Sequence, residues 1–403
     1  MPRFPASANL LQQRSLEQGT LLLTDQAPLG VLELTSRGAG FLRRAETGYL
    51  PAPTDVHVPD RLIRSARLRA GDEIAGKTAP GGRGRSASLT SVEAVNGRDP
   101  ASIAQRPDFS RLGAVHPNEM LPLACDIRRG GQPDFTNRVI DLLCPFGKGQ
   151  RALVVAPAKA GKTTVLQNIA QGISTNHPAA ALFILLVDER PEEVFEMEGA
   201  GFGEVIASSF DQPAASHVAV AELTLERARR RVELGEDVVL VMDSLTRLAR
   251  AYNTVERGTG RTLSGGLDAN SLEKPKRFLG SARRIDPSQG GGSLTIIATA
   301  LVDTGSKMDQ VIFEEFKGTG NSELVLSREL AERRVFPAVD LIASATRREE
   351  LLLSPEALDA SHRVRARIAG MTPLNAMNDL LTDLRRSRSN EELVRSLAAV
   401  GPR

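Results

Sequence analysis

The strongest constraint on this chain is a rhythm that begins near Val139. Apolar runs such as "RALVVA", "ALFILLV", "DVVLVMD" and "SLTIIATAL" alternate with helical patterns such as "KTTVLQNIAQGI", "PEEVFEME" and "VAVAELTLERARRRVEL". A strand that is apolar on every residue is buried on both faces, and helices between successive strands supply the cover. The expectation is an α/β domain over residues 136–403 with a mostly parallel sheet. Ahead of it, residues 27–97 read differently. Short alternating pieces ("GVLELTS", "AGFLRR", "DVHVP", "DEIAGKT", "SASLTSVEAV") are separated by turn residues, which predicts a small antiparallel barrel or sandwich. Residues 98–135, rich in Pro, Arg and Asp without a period, read as a linker, and residues 1–26 as a short leader.

The 403 residues carry a net charge of only +2, so bulk charge does not select a polyanion partner. A local patch matters more: residues 27–100 hold 11 Lys and Arg against 8 Asp and Glu. Cys125 and Cys144 form no paired-cysteine motif and the five histidines are scattered, so the sequence suggests reduced thiols and no side-chain metal cluster. The longest apolar run is too short to cross a bilayer, and the expectation is a cytoplasmic protein with no membrane partner.

Chemistry enters with "APAKAGKT" (156–163), between a strand and a helix. It has the spacing of a phosphate loop, with Ala156 in the place of the first glycine. Gly161 lets backbone amides curl around a phosphate at a helix N-terminus. Lys162 is placed for the β- and γ-phosphates of ATP, and the Thr163 hydroxyl for Mg2+. Asp243 ends the strand "DVVLVMD", where it can share the magnesium. Glu189 ends the strand in "LLVDERPEEV" and is the candidate to orient and deprotonate the attacking water. Glu192 and Glu193 follow Pro191 in a first helical turn, where acids complement the helix dipole.

With these residues in place the sequence resembles a known family, the bacterial transcription termination factor Rho, a hexameric RecA-type RNA-dependent ATPase. The resemblance runs from about Gly30 to about Leu353. It is carried by "RVIDLLCPFGKGQRALVVAPAKAGKTTVLQNIA", "LLVDERPEEV", "DSLTRLARAYNTV", "GGLDANSLEKPKRFLGSARR", "GGSLTIIATALVDTGSKMDQVIFEEFKGTGNSEL" and "RRVFPAVD". It implies an OB-type, cold-shock-like barrel followed by a RecA-type P-loop ATPase domain. It also implies two ATP-contacting segments: Gly147, Lys148, Gly149, Gln150, Arg151 and Ala152, then Lys159, Ala160, Gly161, Lys162, Thr163 and Thr164. Glu189 matches the catalytic glutamate, Arg190 a nucleotide-contacting arginine and Asp243 the Walker B aspartate. Arg347 aligns with an arginine finger inserted by a neighbouring subunit of a homohexamer, with Arg334 as its companion. The loop 257–266, with Arg261 and Ser264, and the loop 303–307, with Lys307, are similar to RNA-gripping pore loops.

On the barrel, "SRGAGFLRR" (36–44) resembles the RNA-contacting strand, which makes Gly38, Phe41, Arg43 and Arg44 candidate contacts for single-stranded RNA, with His57 and Arg85. Here the sequence departs from the family: Ala39, His57 and Ser86 stand where aromatic rings are expected. The function implied is an ATP-driven, 5′–3′ RNA and RNA–DNA helicase that displaces a stalled RNA polymerase complex and terminates transcription. The competing readings are a regulatory RNA-binding ATPase ring without termination activity of its own, and a RecA-type motor acting on another polymer.

Overall fold

The computed structural model describes residues 27–36, 38–82, 86–256, 262–263, 266–268 and 271–399. The expected leader, and the site candidates Arg85, Arg261 and Ser264, lie outside these residues. The chain divides into two compact units, one of residues 1–42 with 53–105 and one of residues 43–52 with 106–403.

The smaller unit is built on a closed five-stranded barrel. Its strands are β1 (Gly30–Leu34), β2 (Gly40–Arg43), β3 (Val56–Val58), β4 (Glu73–Ala79) and β5 (Ser88–Val95), in the order β1-β2-β3-β5-β4. All five were legible as alternating pieces. β1 with β4, β2 with β3 and β4 with β5 pair antiparallel, and β3 runs parallel to β5 at His57 and Ser88. Val31, Leu32, Leu42, Val58, Ile74 and Leu89 fill the interior. Gly40 is required by this packing, because a Cβ there would meet Leu32 Cδ1 at 2.6 Å and the Glu33 carbonyl at 2.7 Å.

The larger unit carries the parallel sheet. In chain order its elements are α1 (Thr136–Leu143), β6 (Arg151–Pro157), α2 (Lys162–Asn176), β7 (Ala181–Glu189), α3 (Pro191–Ala200), β8 (Glu204–Ser209), α4 (Ala214–Val232), β9 (Asp237–Asp243), α5 (Leu245–Val255), β10 (Ser293–Val302), α6 (Lys307–Lys317), β11 (Ser322–Val325) and β12 (Ala345–Thr346). The strand order is β8-β7-β9-β10-β6-β11-β12. Every pair is parallel up to β11, and β12 turns back antiparallel. A short strand at Arg283–Ile285 pairs antiparallel with the start of β10 and with Ala114–Val115.

Successive strand residues feed opposite faces. Val154, Ala156, Ile184, Leu186, Val239 and Val241 pack on one side with α1 and α2. Leu153, Val155, Phe183, Leu185, Leu240 and Met242 pack on the other with α4 and α5. This is the physical meaning of strands that read apolar at every position. Three C-terminal helices, Pro355–Ile368, Pro373–Arg386 and Asn390–Ala399, complete the first face.

The stretch expected as a linker is ordered onto this unit from Arg106 onward. Phe109, Leu112, Leu121 and Leu123 are buried in the two cores. The Asp141 carboxylate accepts the Leu123 and Ala124 amides at 2.9 and 2.8 Å, so this backbone is held despite its lack of sequence period.

Candidate active site and nucleic-acid interface

Parallel strands deliver their C-terminal ends to one edge of the sheet, where α/β proteins place ligands. β6 reaches that edge at Pro157 and turns into α2 through Lys159, with φ 65°, and Gly161, with φ 86°. Space around Gly161 is open, with no atom within 4 Å of a Cβ built there. Ala156 is buried inside β6 opposite Leu301. Its methyl belongs to the core, so a first-position glycine is not needed.

Lys162 stands in the first turn of α2 and meets the tips of two strands. Its Nζ lies 3.0 Å from Glu189 Oε1 at the end of β7 and 2.6 Å from Asp243 Oδ2 at the end of β9. Both carboxylates are nearly inaccessible, at 2% exposure each. Burial disfavours the Lys162 ammonium, yet the Asp243 and Glu189 charges outweigh it and raise its pKa. Burial, then the charge of Asp243, pushes the Glu189 carboxyl above the usual range against the pull of Lys162 and Arg247. Glu189 Oε2 is buried without a hydrogen-bond partner, which leaves one carboxylate oxygen to accept from a water.

Several contacts here are absent from the sequence reading. Thr299, in β10, donates to Asp243 Oδ1 at 2.7 Å. Arg247, in α5, reaches Glu189 Oε1 at 3.4 Å and Asp188 at 3.6 Å. Glu193, read as a dipole complement only, accepts from Thr163 Oγ1 at 3.1 Å. One turn further along, Gln167 donates to Glu196 at 2.9 Å, so α2 and α3 are joined by two polar steps. Arg129 bonds Asn168 Oδ1 at 2.8 Å and the Thr164 carbonyl at 3.5 Å. Arg190 caps α3 and its side chain is exposed.

The first glycine-rich segment does not join Lys162. Gly147 to Ala152 lie at the start of β6, and the phosphate loop follows its end, six residue steps or roughly 20 Å away. Its groups are committed locally. Lys148 pairs with Asp237 at 2.7 Å and with Glu119. Gln150 donates to Asn321 Oδ1 at 2.8 Å, and Arg151 bonds the Thr319 carbonyl at 3.0 Å. Gly149 has φ 87° and sits against backbone, since a Cβ there would meet the Arg284 nitrogen at 2.2 Å.

Arg347 shares that far end. Its amide bonds the Asn321 carbonyl at 2.9 Å. Burial first, then its like charge, lowers the pKa of Arg151. Arg347 is exposed and lies at the end of the sheet opposite the loop that follows β6. Arg334, also exposed, has φ 58° and lies beyond the end of β11, on the phosphate-loop side.

On the barrel, Phe41 and His57 are cross-strand partners. Their rings meet edge-to-face, 5.6 Å between centroids at 65°, and the Ser88 hydroxyl lies 3.4 Å from His57 Nδ1. Gly38, with φ 84°, makes the turn before β2. Arg43, expected as an RNA contact, is buried at 9% exposure. Arg44 is half-buried and its carbonyl caps the turn at Thr47 and Tyr49.

Lys307 is exposed at the first position of α6. Its loop is pinned from behind: Thr304 donates to Asp309 Oδ2 at 2.6 Å, and Arg250 grips the same carboxylate at 2.8 and 2.6 Å. Among the described residues no helix is long and apolar enough to cross a membrane.

Two family models match the chain. Residues 29–101 match the Rho termination factor, RNA-binding domain, and residues 136–346 match the ATP synthase alpha/beta family, nucleotide-binding domain. Transcription termination factor Rho of Gemmatimonas aurantiaca is 55% identical over 90% of this chain and 49% of that protein. The chain therefore spans about half the length of that relative. Rho of Buchnera aphidicola subsp. Schizaphis graminum is 52% identical over 90% of this chain and 86% of its own length. Rho of Escherichia coli (strain K12) is 51% identical with the same coverage. Among solved structures, an ATPase from the type III secretion system of pathogenic bacteria is 26% identical with a TM-score of 0.54, covering 66% of this chain and 83% of that one. The assembled type III secretion ATPase EscN shares the fold at 22% identity, with a TM-score of 0.57 and 77% of each chain covered. The barrel, the parallel-sheet unit and the run of close relatives lead to one conclusion: the chain belongs to the transcription termination factor Rho family.

Proposed function

We propose that this protein hydrolyses ATP to move along single-stranded RNA and so terminates transcription. The observation that carries the reading is the convergence of Lys162, Glu189 and Asp243 at the C-terminal ends of three parallel strands. Lys162 takes the β- and γ-phosphates, with Lys159, Thr164 and the loop amides of Ala160 and Gly161 around them. Glu189 accepts the proton of the attacking water through its unpartnered Oε2. A carboxyl raised toward neutrality is the better base for that task. Thr163 and Asp243 offer the hard oxygen donors that suit Mg2+ and would hold it. The chemistry magnesium supplies when bound is charge neutralisation on the phosphate oxygens. Arg190 and Arg334 add positive charge on the same side.

Arg347 and residues 147–152 lie at the far end of β6, so any nucleotide they touch belongs to a neighbouring copy. A homohexameric ring, each copy lending Arg347 to its neighbour as an arginine finger, fits this reading. Phe41 and His57 are the proposed base-stacking residues of the first RNA contact, and Gly38, Arg43, Arg44 and Arg85 are assigned to the same role. Lys307 and the loop bearing Arg261 and Ser264 grip the strand in the pore. ATP-driven movement of those loops draws RNA through in the 5′–3′ direction and displaces an RNA–DNA hybrid or a stalled RNA polymerase complex, in the cytoplasm.

Ala39, His57 and Ser86 favour a second reading at the platform alone, a ring with weak primary binding that works as a regulator. Titrating RNA while following ATP turnover separates them. Poly-C, poly-U and mixed RNA are expected to stimulate hydrolysis; turnover indifferent to all three would overturn the RNA-motor reading.

A further inference from the structure

Asp188, immediately before Glu189, adopts φ 57°, a left-handed conformation that non-glycine residues avoid unless their surroundings enforce it. The pairing of β7 with β8 slips at the same place. Val187 pairs with Ser208 and Glu189 with Ser209, and Asp188 is skipped. Such a bulge re-aims the side chain that follows, and here that side chain is Glu189.

Groups from three elements enforce the bulge. The Asp188 carboxylate lies 3.8 Å from His217 Nε2 on α4 and 3.6 Å from Arg247 Nη1 on α5. Both separations exceed a hydrogen bond: Arg247 attracts the carboxylate by charge, whereas burial lowers the His217 pKa, so its neutral imidazole meets Asp188 as a packing neighbour. Arg247 continues to Glu189 through its other nitrogen at 3.4 Å. His217 is 5% exposed and is fixed from behind by Ser208 Oγ, 2.7 Å from Nδ1. The Phe210 amide closes the bulge by donating to the Glu189 carbonyl at 3.0 Å. A continuous path thus runs from Ser208 through His217, Asp188 and Arg247 to the carboxylate of Glu189.

We propose that His217 and Asp188 are positioning residues for Glu189. Ser208 orients the imidazole, the imidazole and Arg247 hold Asp188 in its left-handed conformation, and that conformation aims Glu189 toward Lys162. The inference rests on reading Glu189 as the base in ATP hydrolysis. Neither residue needs to touch the nucleotide, so their loss acts on turnover rather than on ATP binding.

The test uses the full-length protein with Asp188→Gly, Asp188→Val and His217→Ala, under two readouts: RNA-stimulated ATP turnover and amide hydrogen exchange over residues 185–212. Glycine accepts the left-handed conformation and a β-branched valine opposes it. Asp188→Val is expected to lower kcat on the order of 100-fold, with KM for ATP within about twofold, as misaimed catalytic groups do. His217→Ala should lower kcat about tenfold, and Asp188→Gly should recover most of the loss seen with valine. Exchange at the Phe210 amide should quicken in Asp188→Val and His217→Ala and stay near wild type in Asp188→Gly. Equal kcat losses in the glycine and valine variants would overturn the proposal. So would a rise in KM that accounts for the whole loss, or unchanged exchange in His217→Ala. If the wild-type protein hydrolyses no ATP, the functional reading falls, and the exchange pattern alone decides whether these residues hold the bulge.

Discussion

At the ends of β6, β7 and β9, one ammonium and two carboxylates are almost removed from water and pair with each other, with Arg247 and Thr299 as their further partners. On the barrel, Phe41 and His57 sit half-exposed on one sheet face, each with a neighbour but neither locked in. The first arrangement is interdependent, because an unpaired charge in a buried site is expensive. The second is expected to be additive, since on the proposed RNA platform each ring stacks on its own base. A buried charge set therefore keeps all its members or fails as a unit, whereas a stacking platform can lose rings one at a time and still bind. Ala39, His57 and Ser86 fit such graded loss, while the phosphate site retains Lys162, Glu189, Asp243 and Thr299 together.

The largest effect that follows is from Lys162→Met. ATP turnover should fall to background, and stability should fall with it, because Glu189 and Asp243 lose the cation between them. Removing one partner of a buried ionic set costs about 3–5 kcal/mol. That corresponds to a drop in Tm of roughly 5–10 °C in a unit of this size, read by calorimetry. Adding Glu189→Gln in the same chain should recover part of the lost Tm without restoring turnover. An unchanged Tm in Lys162→Met would break the claim of interdependence.

Arg347→Ala comes next. Turnover should fall about 10³-fold, as for an arginine finger, but Tm should hold because the side chain is exposed. Mixing Arg347→Ala with Lys162→Met subunits should restore turnover that neither has alone, since some interfaces then join an intact loop to an intact finger. Activity that stays at background in the mixture would count against a finger supplied by the neighbour.

The contrast also explains what could be read in advance. The strand-to-helix turn was legible because its geometry is contiguous: residues 158–161 make it between β6 and α2, and Asp243 and Glu189 announce themselves by ending apolar runs. Arg247, Thr299 and the Asp188 bulge were not, because their meaning lies in contacts to residues tens of positions away. Glu193 looked complete as a first-turn acid, and only its contact with Thr163 gives it a second role. Arg43 and Arg44 were illegible in another way. Two adjacent arginines look alike in sequence, but Arg43 falls in β2 and is covered, whereas Arg44 opens the following turn. Likewise residues 106–135 have no period to read, since isolated anchors such as Phe109 and Leu121 pack them rather than a repeating face.

On the barrel the effects shrink to single rings. Phe41→Ala should weaken binding of short single-stranded RNA by about 1–3 kcal/mol, roughly 5- to 150-fold. ATP turnover on saturating RNA should change little, because Lys162, Glu189 and Asp243 belong to the other compact unit. Ala39→Tyr probes the same face in the other direction and by the smallest step. Residues two apart in extended chain point the same way, so a ring at 39 joins Phe41, and Ala39 is only half-buried. Its backbone carbonyl already accepts from Thr35 through both amide and hydroxyl at 2.8 Å, contacts that a larger side chain leaves untouched. Affinity for short RNA should rise by about 1 kcal/mol, roughly fivefold, near the low end for one stacked base. Fluorescence anisotropy at fixed salt measures this without the motor. A gain in Ala39→Tyr that vanishes when Phe41→Ala is added would mean that the rings bind as a pair, and the platform would then share the interdependence of the phosphate site.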